Sequence, residues 1–537
     1  MSDSHPNSRK QGFLQGAAIL TLGAILAKVI GALFKIPLTR FITTEGAGHF
    51  NVAYNIYIVL LNISSTGLPV AVSRLISEAN TLGKRRQVQS IHRVSVMLFL
   101  LIGLVCGGAM FFGAQAIANW MRDPEAVYAI AVLAPAALFV SVCSAFRGYF
   151  QGQQYMTPTA VAQVLEALSK LLIGLLAVWI ALKAGLGWPQ AAGASISGVT
   201  VGSILGCLYF LTQYRRRKIR LTAQEAGEPI PGALHTAGQI IRLAVPITIG
   251  ATGLQIFIAL SGRIILGRLQ DVLGLTLAGA TSLYGIYSMA QTLYMLPSAL
   301  VQPLSVSIIP AVTEALALND HREAQRKAES ALRITALIAI PAGVGLGVLA
   351  EPIQKLLYDY DPDTLAIAGP TLSILGVAAA LYCFVLVTNA ILQANGKPAH
   401  PIYATVAGGV TNLAVCWFLV ARPSVHIFGA ALGTVAYCLV TVAVNLLSIR
   451  GSISCPPRFF PQIIKPLTAA AVMGVLTHFV WQGSGNVILS IAAGCGVYAL
   501  GVLVLRCLTW YDCTMLPKGE LIAKLLRVKP GDESVGG

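Results

Sequence analysis

The sequence predicts an all-α integral membrane protein of about fourteen transmembrane helices, arranged as two pseudo-symmetric six-helix lobes plus two extra C-terminal helices. Three observations carry this. Hydrophobic residues make up 56% of the 537-residue chain and charged residues only 11%, against about 25% charged in an average soluble domain. The apolar residues fall in long runs, near the roughly 20 that a bilayer-spanning helix requires and too long for barrel strands. Short polar signatures also recur at a nearly constant separation.

Cutting the chain at its charged and turn-rich breaks gives apolar segments near 13–38, 50–73, 94–119, 126–146, 158–182, 190–213, 239–262, 281–310, 334–350, 364–393, 401–421, 427–449, 462–482 and 486–505. Lipid offers the backbone no hydrogen-bond partner, so each segment is read as a helix. The first run carries Lys28 and Lys35 and is too long for a cleaved signal segment, so it is read as a retained span.

Charge orients the spans. With a cytoplasmic N-terminus, 27 of the 37 Lys and Arg residues fall on inner segments. Arg40, Arg122, Lys183, Arg263, Arg268, Lys355 and Arg422 fall on outer ones, and Lys28, Lys35 and Lys170 lie within helices. Lys and Arg resist translocation, so the asymmetry predicts a multi-pass protein of the cytoplasmic (inner) membrane with both termini cytoplasmic. The net charge of +16 is then mostly topology. The basic run from Arg215 to Arg220 meets anionic membrane lipids, and no nucleic acid is expected as a partner.

The ten cysteines form no CxxC pair and mostly lie in apolar runs, which argues against a disulfide framework or zinc site. His49, His92, His321, His400 and His426 lie at predicted loop ends without ligand spacing, so no metal, cofactor or catalytic residue is expected. No phosphate-binding loop signature occurs, which speaks against nucleotide-driven pumping. The outer turn with Asp359, Asp361 and Asp363 reads as an exposed acidic turn rather than a cation site.

Ile76-Ser77-Glu78-Ala79 recurs as Val312-Thr313-Glu314-Ala315, 236 residues on, each at the end of a proline-containing helix and followed by a basic loop. Phe150-Gln151, Pro158 and Ser169-Lys170 are echoed by Leu392-Gln393, Pro401 and Thr411-Asn412, 242 to 243 residues on. The division that follows is an N-terminal lobe over 1–225, a C-terminal lobe over 226–455, two extra helices over 456–510 and a basic cytoplasmic tail over 511–537. Parallel repeats of this kind place a substrate site between the halves and permit alternating access by rocking, which predicts a transporter.

Ionisable groups inside a bilayer cost about 2.5–3.5 kcal/mol on insertion scales and mark pathways or partners. On helix 1, Thr21, Ala24, Lys28, Gly31 and Lys35 share one face. Lys28 lies about 15 residues in, roughly 23 Å at 1.5 Å per residue. Thr159, Gln163, Glu166 and Lys170 share a face of helix 5, with Glu166 and Lys170 an i, i+4 pair in the favourable order. Asn51, Asn55 and Asn62 on helix 2, and Tyr284, Tyr287, Gln291, Tyr294 and Ser298 on helix 8, form polar stripes that either line a wet cavity or bond neighbouring helices. The candidate headgroup contacts are Lys28, Lys35, Lys170, Glu166, Asn62, Asn55, Gln291, Tyr287 and Arg263, with Arg74 and Arg147 as inner-end gating residues. The helical prolines, Pro69 and Pro297 among them, permit kinks.

Several stretches resemble the stage V sporulation protein B-like branch of the multidrug/oligosaccharidyl-lipid/polysaccharide (MOP) exporter superfamily, which includes the lipid II flippases. They are the run from Ala27 to Arg40 leading into Glu45-Gly46-Ala47-Gly48, the segments Thr66 to Arg74, Arg147 to Gly152 and Met156 to Thr159, then Leu304 to Ala315 and Leu516-Pro517-Lys518-Gly519. The resemblance implies a V-shaped two-lobed fold like that of the multidrug and toxin extrusion proteins, with a lipid-tail groove from the extra helices. It also implies a flippase for undecaprenyl-linked sugar or peptidoglycan precursors, with Lys28 and Lys170 at basic positions. Where lipid II flippases carry arginines on helices 2 and 8, this chain has Asn62 and Thr292, and near Ser261 it has Arg263 rather than an acid. The glycan therefore stays open between lipid II and another repeat unit. The expected partners are a polyprenyl-pyrophosphate-linked glycan and cell-envelope synthesis proteins; no cofactor is expected beyond coupling to membrane potential or a cation. The alternatives are a cation-coupled multidrug exporter of the same superfamily, a membrane glycosyltransferase, and a non-transporting assembly scaffold.

Overall fold

A straight helix of 53 residues would be about 80 Å long, nearly three bilayer cores, yet α1 (Phe13–Ser65) has that many. It solves the problem by turning back. At Thr43 the backbone leaves helical values for φ 60, ψ −177, and beyond it the second limb runs beside the first. Lys35 Nζ reaches Asn51 Oδ1 at 3.4 Å and the Phe34 and Phe50 rings are 5.9 Å apart. Sixteen residues of uninterrupted helix would hold each such pair about 24 Å apart. α1 is therefore a hairpin of two passes.

The computed structural model describes residues 13–217, 229–509 and 512. After α1 come α2 (Gly67–Thr81), α3 (Arg85–Phe112), α4 (Ala114–Trp120), a 3₁₀ turn at Pro124–Ala126, α5 (Val127–Gly152), α6 (Thr157–Lys183) and α7 (Trp188–Arg217). Then follow α8 (Ala233–Asp271), α9 (Leu277–Tyr294), α10 (Leu296–Ala317), α11 (His321–Val348), α12 (Ala350–Tyr358), α13 (Pro362–Ala394), α14 (His400–Leu419), α15 (Phe428–Ser452), α16 (Phe460–Ser484) and α17 (Val487–Val504). No strand occurs among the described residues. Among the described residues, thirteen stretches are long and apolar enough to cross a membrane, the first being Ile19–Thr81. Because that stretch contains the Thr43 reversal, it supplies two passes and the described residues fourteen. Lys218, Arg220, the Leu516 to Gly519 motif and the 511–537 tail apart from Asp512 lie outside the described residues.

The repeat read from short motifs is a repeat of elements. α3 and α11 are both 28 residues long and start 236 positions apart, each followed by a short helix, α4 or α12. The helix before each is broken near a proline: α1 stops at Ser65 ahead of Pro69, and α9 at Tyr294 ahead of Pro297. Proline lacks the N–H that would bond the preceding turn. The same helices pair in both halves: α2 with α3 and α5, α3 with α5, α5 with α7, and α6 with α7 are matched by α10 with α11 and α13, α11 with α13, α13 with α15, and α14 with α15. α16 and α17 pack on each other and on α11 and have no first-half counterpart. By packing, the chain divides into compact units of residues 1–285 and 286–537. α8 lies against α1, α2 and α3 in the first, whereas the division at 225/226 follows the repeat.

Two local details show how composition sets the packing. Gly198, Gly202 and Gly206 form a stripe on α7 against α6; a Cβ on Gly198 would lie 2.6 Å from the Gly174 nitrogen, and one on Gly202 would lie 3.0 Å from the Glu166 carbonyl oxygen. Small residues let two backbones close on each other where lipid provides no hydrophobic drive. The acidic turn at Asp359 to Asp363 supplies a pair of helix caps. Asp359 ends α12 in the left-handed conformation, and Asp361 caps α13, accepting from the Thr364 N–H at 3.1 Å and the Thr364 hydroxyl at 2.7 Å.

Replacing Gly202 with Leu should lower the melting temperature in detergent by several degrees, since overpacking costs about 1–3 kcal/mol. Gly496→Ala, where a Cβ meets nothing within 4 Å, should leave it unchanged. At Asp361, the Thr364 hydroxyl and amide hold the carboxyl below the usual carboxylate range. Its contribution is therefore present above the ordinary carboxylate pKa and lost as pH falls through the lowered value. Asp361→Ala should cost about 1 kcal/mol locally, read as faster amide exchange confined to the first turn of α13 at neutral pH.

Candidate substrate-binding site

The α1 hairpin sets the geometry of the first unit. Its two limbs stack Phe34, Phe50 and Tyr54 into a row, with neighbouring centroids 5.9 and 5.5 Å apart. Lys170, from the middle of α6, extends its ammonium over all three, 5.0 Å from the Phe34 centroid, 5.6 Å from Phe50 and 4.3 Å from Tyr54. Electron-rich ring faces attract a cation at such distances. Lys35 lies close enough to Lys170 for the two charges to repel, and it is half-buried, donating to Asn51. Asn51 is itself held by a 2.7 Å bond to the Ala47 carbonyl.

Glu166 lies one turn before Lys170, a spacing that permits an i, i+4 pair, but in the structure its partner is another residue. Both Glu166 oxygens accept from Arg147 Nη2 of α5, at 3.0 and 3.3 Å, with the two side chains 15% and 26% exposed. The fork of a guanidinium suits a carboxylate better than an ammonium does. Glu166 is thereby committed to an interhelical ion pair, and Lys170 is left to the rings.

The other predicted contacts divide. Lys28 is exposed on the outer side of its limb of α1, among the exposed Leu22, Leu26 and Val29. Asn55 donates to the Tyr284 hydroxyl at 2.9 Å, and Asn62 accepts from Thr66 at 3.0 Å, at the break before α2. Arg263 is drawn to the Trp120 carbonyl at 2.8 Å, its guanidinium 5.2 Å from that ring, so it anchors α8 to α4. Arg74 is exposed on α2. In the second unit, Gln291 donates to the Tyr287 hydroxyl at 2.8 Å and that hydroxyl meets Thr434 of α15 at 2.7 Å, an interhelical chain of hydrogen bonds. The structure thus joins Lys35 and Lys170 at one ring-lined spot and sends Arg147, Arg263, Tyr287 and Gln291 into packing contacts.

Two buried networks have no signal in the sequence. In the second unit, Arg333 donates to Asp512 at 2.6 Å, Gln462 at 2.7 Å and Thr509 at 2.8 Å, and Ser330 meets the other Asp512 oxygen at 2.5 Å. In the first, fully buried His49 and Asp123 are 2.8 Å apart. Their partners are 179 and 74 residues away in the chain, beyond any helical spacing rule.

Two repeated helical units with a basic, ring-lined spot in the first define a multi-pass membrane protein of the transporter type. The fold is similar to that of lipid II flippase MurJ in its inward closed conformation (TM-score 0.70, 16% identity, covering 91% of this chain and 98% of that one). It is also similar to an inward-facing multidrug resistance MATE family transporter of the MOP superfamily (TM-score 0.64, 16% identity, 81% and 94%). The family model for polysaccharide biosynthesis protein matches residues 13–316, and the MatE model matches residues 271–418. The chain belongs to the polysaccharide biosynthesis protein family, within the MOP exporter superfamily. Among curated relatives it is 26% identical over 442 residues to stage V sporulation protein B of Bacillus subtilis (strain 168), covering 82% of this chain and 84% of that one. It is 23% identical over 490 residues to lipid II flippase MurJ of the same organism, covering 87% and 88%.

Glu166→Ala should destabilise the protein by roughly 3 kcal/mol, the low end for stranding a buried partner charge, whereas Lys170→Met should cost about 1 kcal/mol or less. Melting temperatures in detergent check this. A larger loss for Lys170→Met would make Lys170 the partner of Glu166.

Proposed function

We propose that the protein is a flippase that carries undecaprenyl-pyrophosphate-linked envelope precursors, lipid II or polysaccharide repeat units, to the outer leaflet of the cytoplasmic membrane by alternating access. Both termini are cytoplasmic in this reading, as the loop charges require. The observation that carries it is the Lys170 ammonium over Phe34, Phe50 and Tyr54, with Lys35, which donates to Asn51, close enough for the two charges to repel. Two cations held together attract a dianionic pyrophosphate strongly in a low dielectric. The names of the relatives, a lipid II flippase among them, support the cargo class. Envelope synthesis proteins are the natural partners upstream and downstream.

A cation-coupled multidrug exporter needs a carboxylate available to its cation, and the intramembrane carboxylate Glu166 is taken by Arg147. Energy from the membrane potential suits the lysine pair better, at about 2.3 kcal/mol per charge per 100 mV.

The test is leaflet transfer of fluorescent lipid II and of a polyprenyl-pyrophosphate glycan in proteoliposomes. Lys35→Gln and Lys170→Gln should each slow transfer about tenfold, as expected for one charge-assisted phosphate contact of about 1.5 kcal/mol. Lys28→Gln, at an exposed position, tests whether the exposed face of α1 contributes as well. Unchanged transfer in the Lys35 and Lys170 variants would remove the pair from the mechanism, and transport of cationic dyes in place of lipid would favour the exporter reading.

A further inference from the structure

The turn end of the α1 hairpin carries chemistry that substrate binding does not use. His49 lies one helical turn after Glu45 and is fully buried. Its Nδ1 sits 2.8 Å from both oxygens of Asp123, also fully buried, in the connection between α4 and α5. Its Nε2 is buried without a hydrogen-bond partner. That atom faces two further carboxylates: Glu125 Oε2 at 3.5 Å and Glu45 Oε1 at 4.0 Å. The three donor atoms of Glu45, His49 and Glu125 lie within 4.8 Å of one another.

We propose that Glu45, His49 and Glu125 bind a divalent transition-metal ion of the zinc type, with Asp123 as the positioning residue that fixes the imidazole. An imidazole whose Nδ1–H is given to a carboxylate presents its Nε2 lone pair outward, and a metal-binding histidine is held in this way by its outer carboxylate. Here Nε2 points at two carboxylate oxygens, an arrangement that becomes favourable when a positive charge, a metal ion or a proton on Nε2, lies between them. Arg122, the basic residue of the same connection, is occupied by Asp271 at 2.9 Å and leaves the negative charge of the cluster in place. The donor set, one imidazole nitrogen and two carboxylates, suits zinc or manganese rather than magnesium or calcium, which prefer oxygen alone. At metal bonds of about 2.0–2.2 Å, donors sit about 3.3 Å apart, so the glutamates must move inward by about 1 Å. Their exposure, 27% for Glu45 and 47% for Glu125, leaves them room to move and gives the ion a way in. Three protein ligands leave a fourth position for water. Bound there, the ion would tie the α1 turn to the α4–α5 connection.

The experiment uses the purified full-length protein in detergent, stripped with chelator and then titrated with Zn²⁺ and, separately, Co²⁺. One ion per chain should be retained at this site. Glu45→Gln and Glu125→Gln should each weaken binding at least tenfold, and Asp123→Asn should weaken it about 10- to 100-fold. The Co²⁺ form should show d–d bands without a thiolate charge-transfer band, which separates this site from binding at the cysteines. The two glutamate variants, at partly exposed positions, keep the test decisive where the buried His49→Gln change prevents folding. Affinity unaffected by Glu45→Gln and Glu125→Gln, or a thiolate band in the Co²⁺ spectrum, would overturn the proposal and leave an ion-paired histidine only.

Discussion

The reversal at Thr43 is the constraint on which the first unit depends. A β-branched residue at φ 60, ψ −177 occupies a region that is essentially glycine's and costs of order 1–3 kcal/mol. That strain is offset by what the fold-back assembles: the row of Phe34, Phe50 and Tyr54, the Lys35 to Asn51 contact, and the approach of His49 to Asp123. A continuous helix would scatter all of these along a rod. One strained residue therefore creates both the lysine spot along the hairpin and the carboxylate–histidine cluster near its turn.

The repeat supplies the scaffold, but its two copies have diverged in chemistry. Equivalent helices pair alike and break alike at prolines. In the first unit the equivalent of Asn412 is the ammonium of Lys170. The second unit has neutral hydrogen bonds between its helices, Tyr287 with Thr434 and Gln291 and Asn445 with Thr388 and Asn389, beside the charged Arg333–Asp512 pair. Neutral pairs of this kind are worth little in a membrane. Their value is in holding helices in register, while the proposed ligand contacts, Lys35 and Lys170, lie in the first unit.

Much of this was legible in the sequence because hydropathy and proline act locally. The spans 13–38 and 50–73 straddle the Thr43 turn, and Pro69 and Pro297 lie just after the two breaks. Helix ends were less legible: α3 and α11 extend through Arg85 and His321, because a helix need not stop where the lipid does. Partners were the least legible. The i, i+4 rule sees only one helix, so it paired Glu166 with Lys170, whereas a guanidinium from α5 wins by geometry. His49 with Asp123 and Arg333 with Asp512 join distant segments, and no spacing pattern encodes a contact made by tertiary packing.

The exchange of partners at Glu166 and Lys170 has an electrostatic consequence. Had the carboxylate taken Lys170, the pair would have been neutral and of little use to an anion. With Arg147 absorbing the acid, Glu166 does not neutralise Lys170, and the cost of a charge there in the membrane, about 2.5–3.5 kcal/mol, is met only in part by ring contacts worth about 0.5–2 kcal/mol. Rings stabilise a cation without cancelling it. The remaining deficit, increased by repulsion from Lys35, would be relieved by a bound anion, which is the physical reason the proposed function sets a phosphate there.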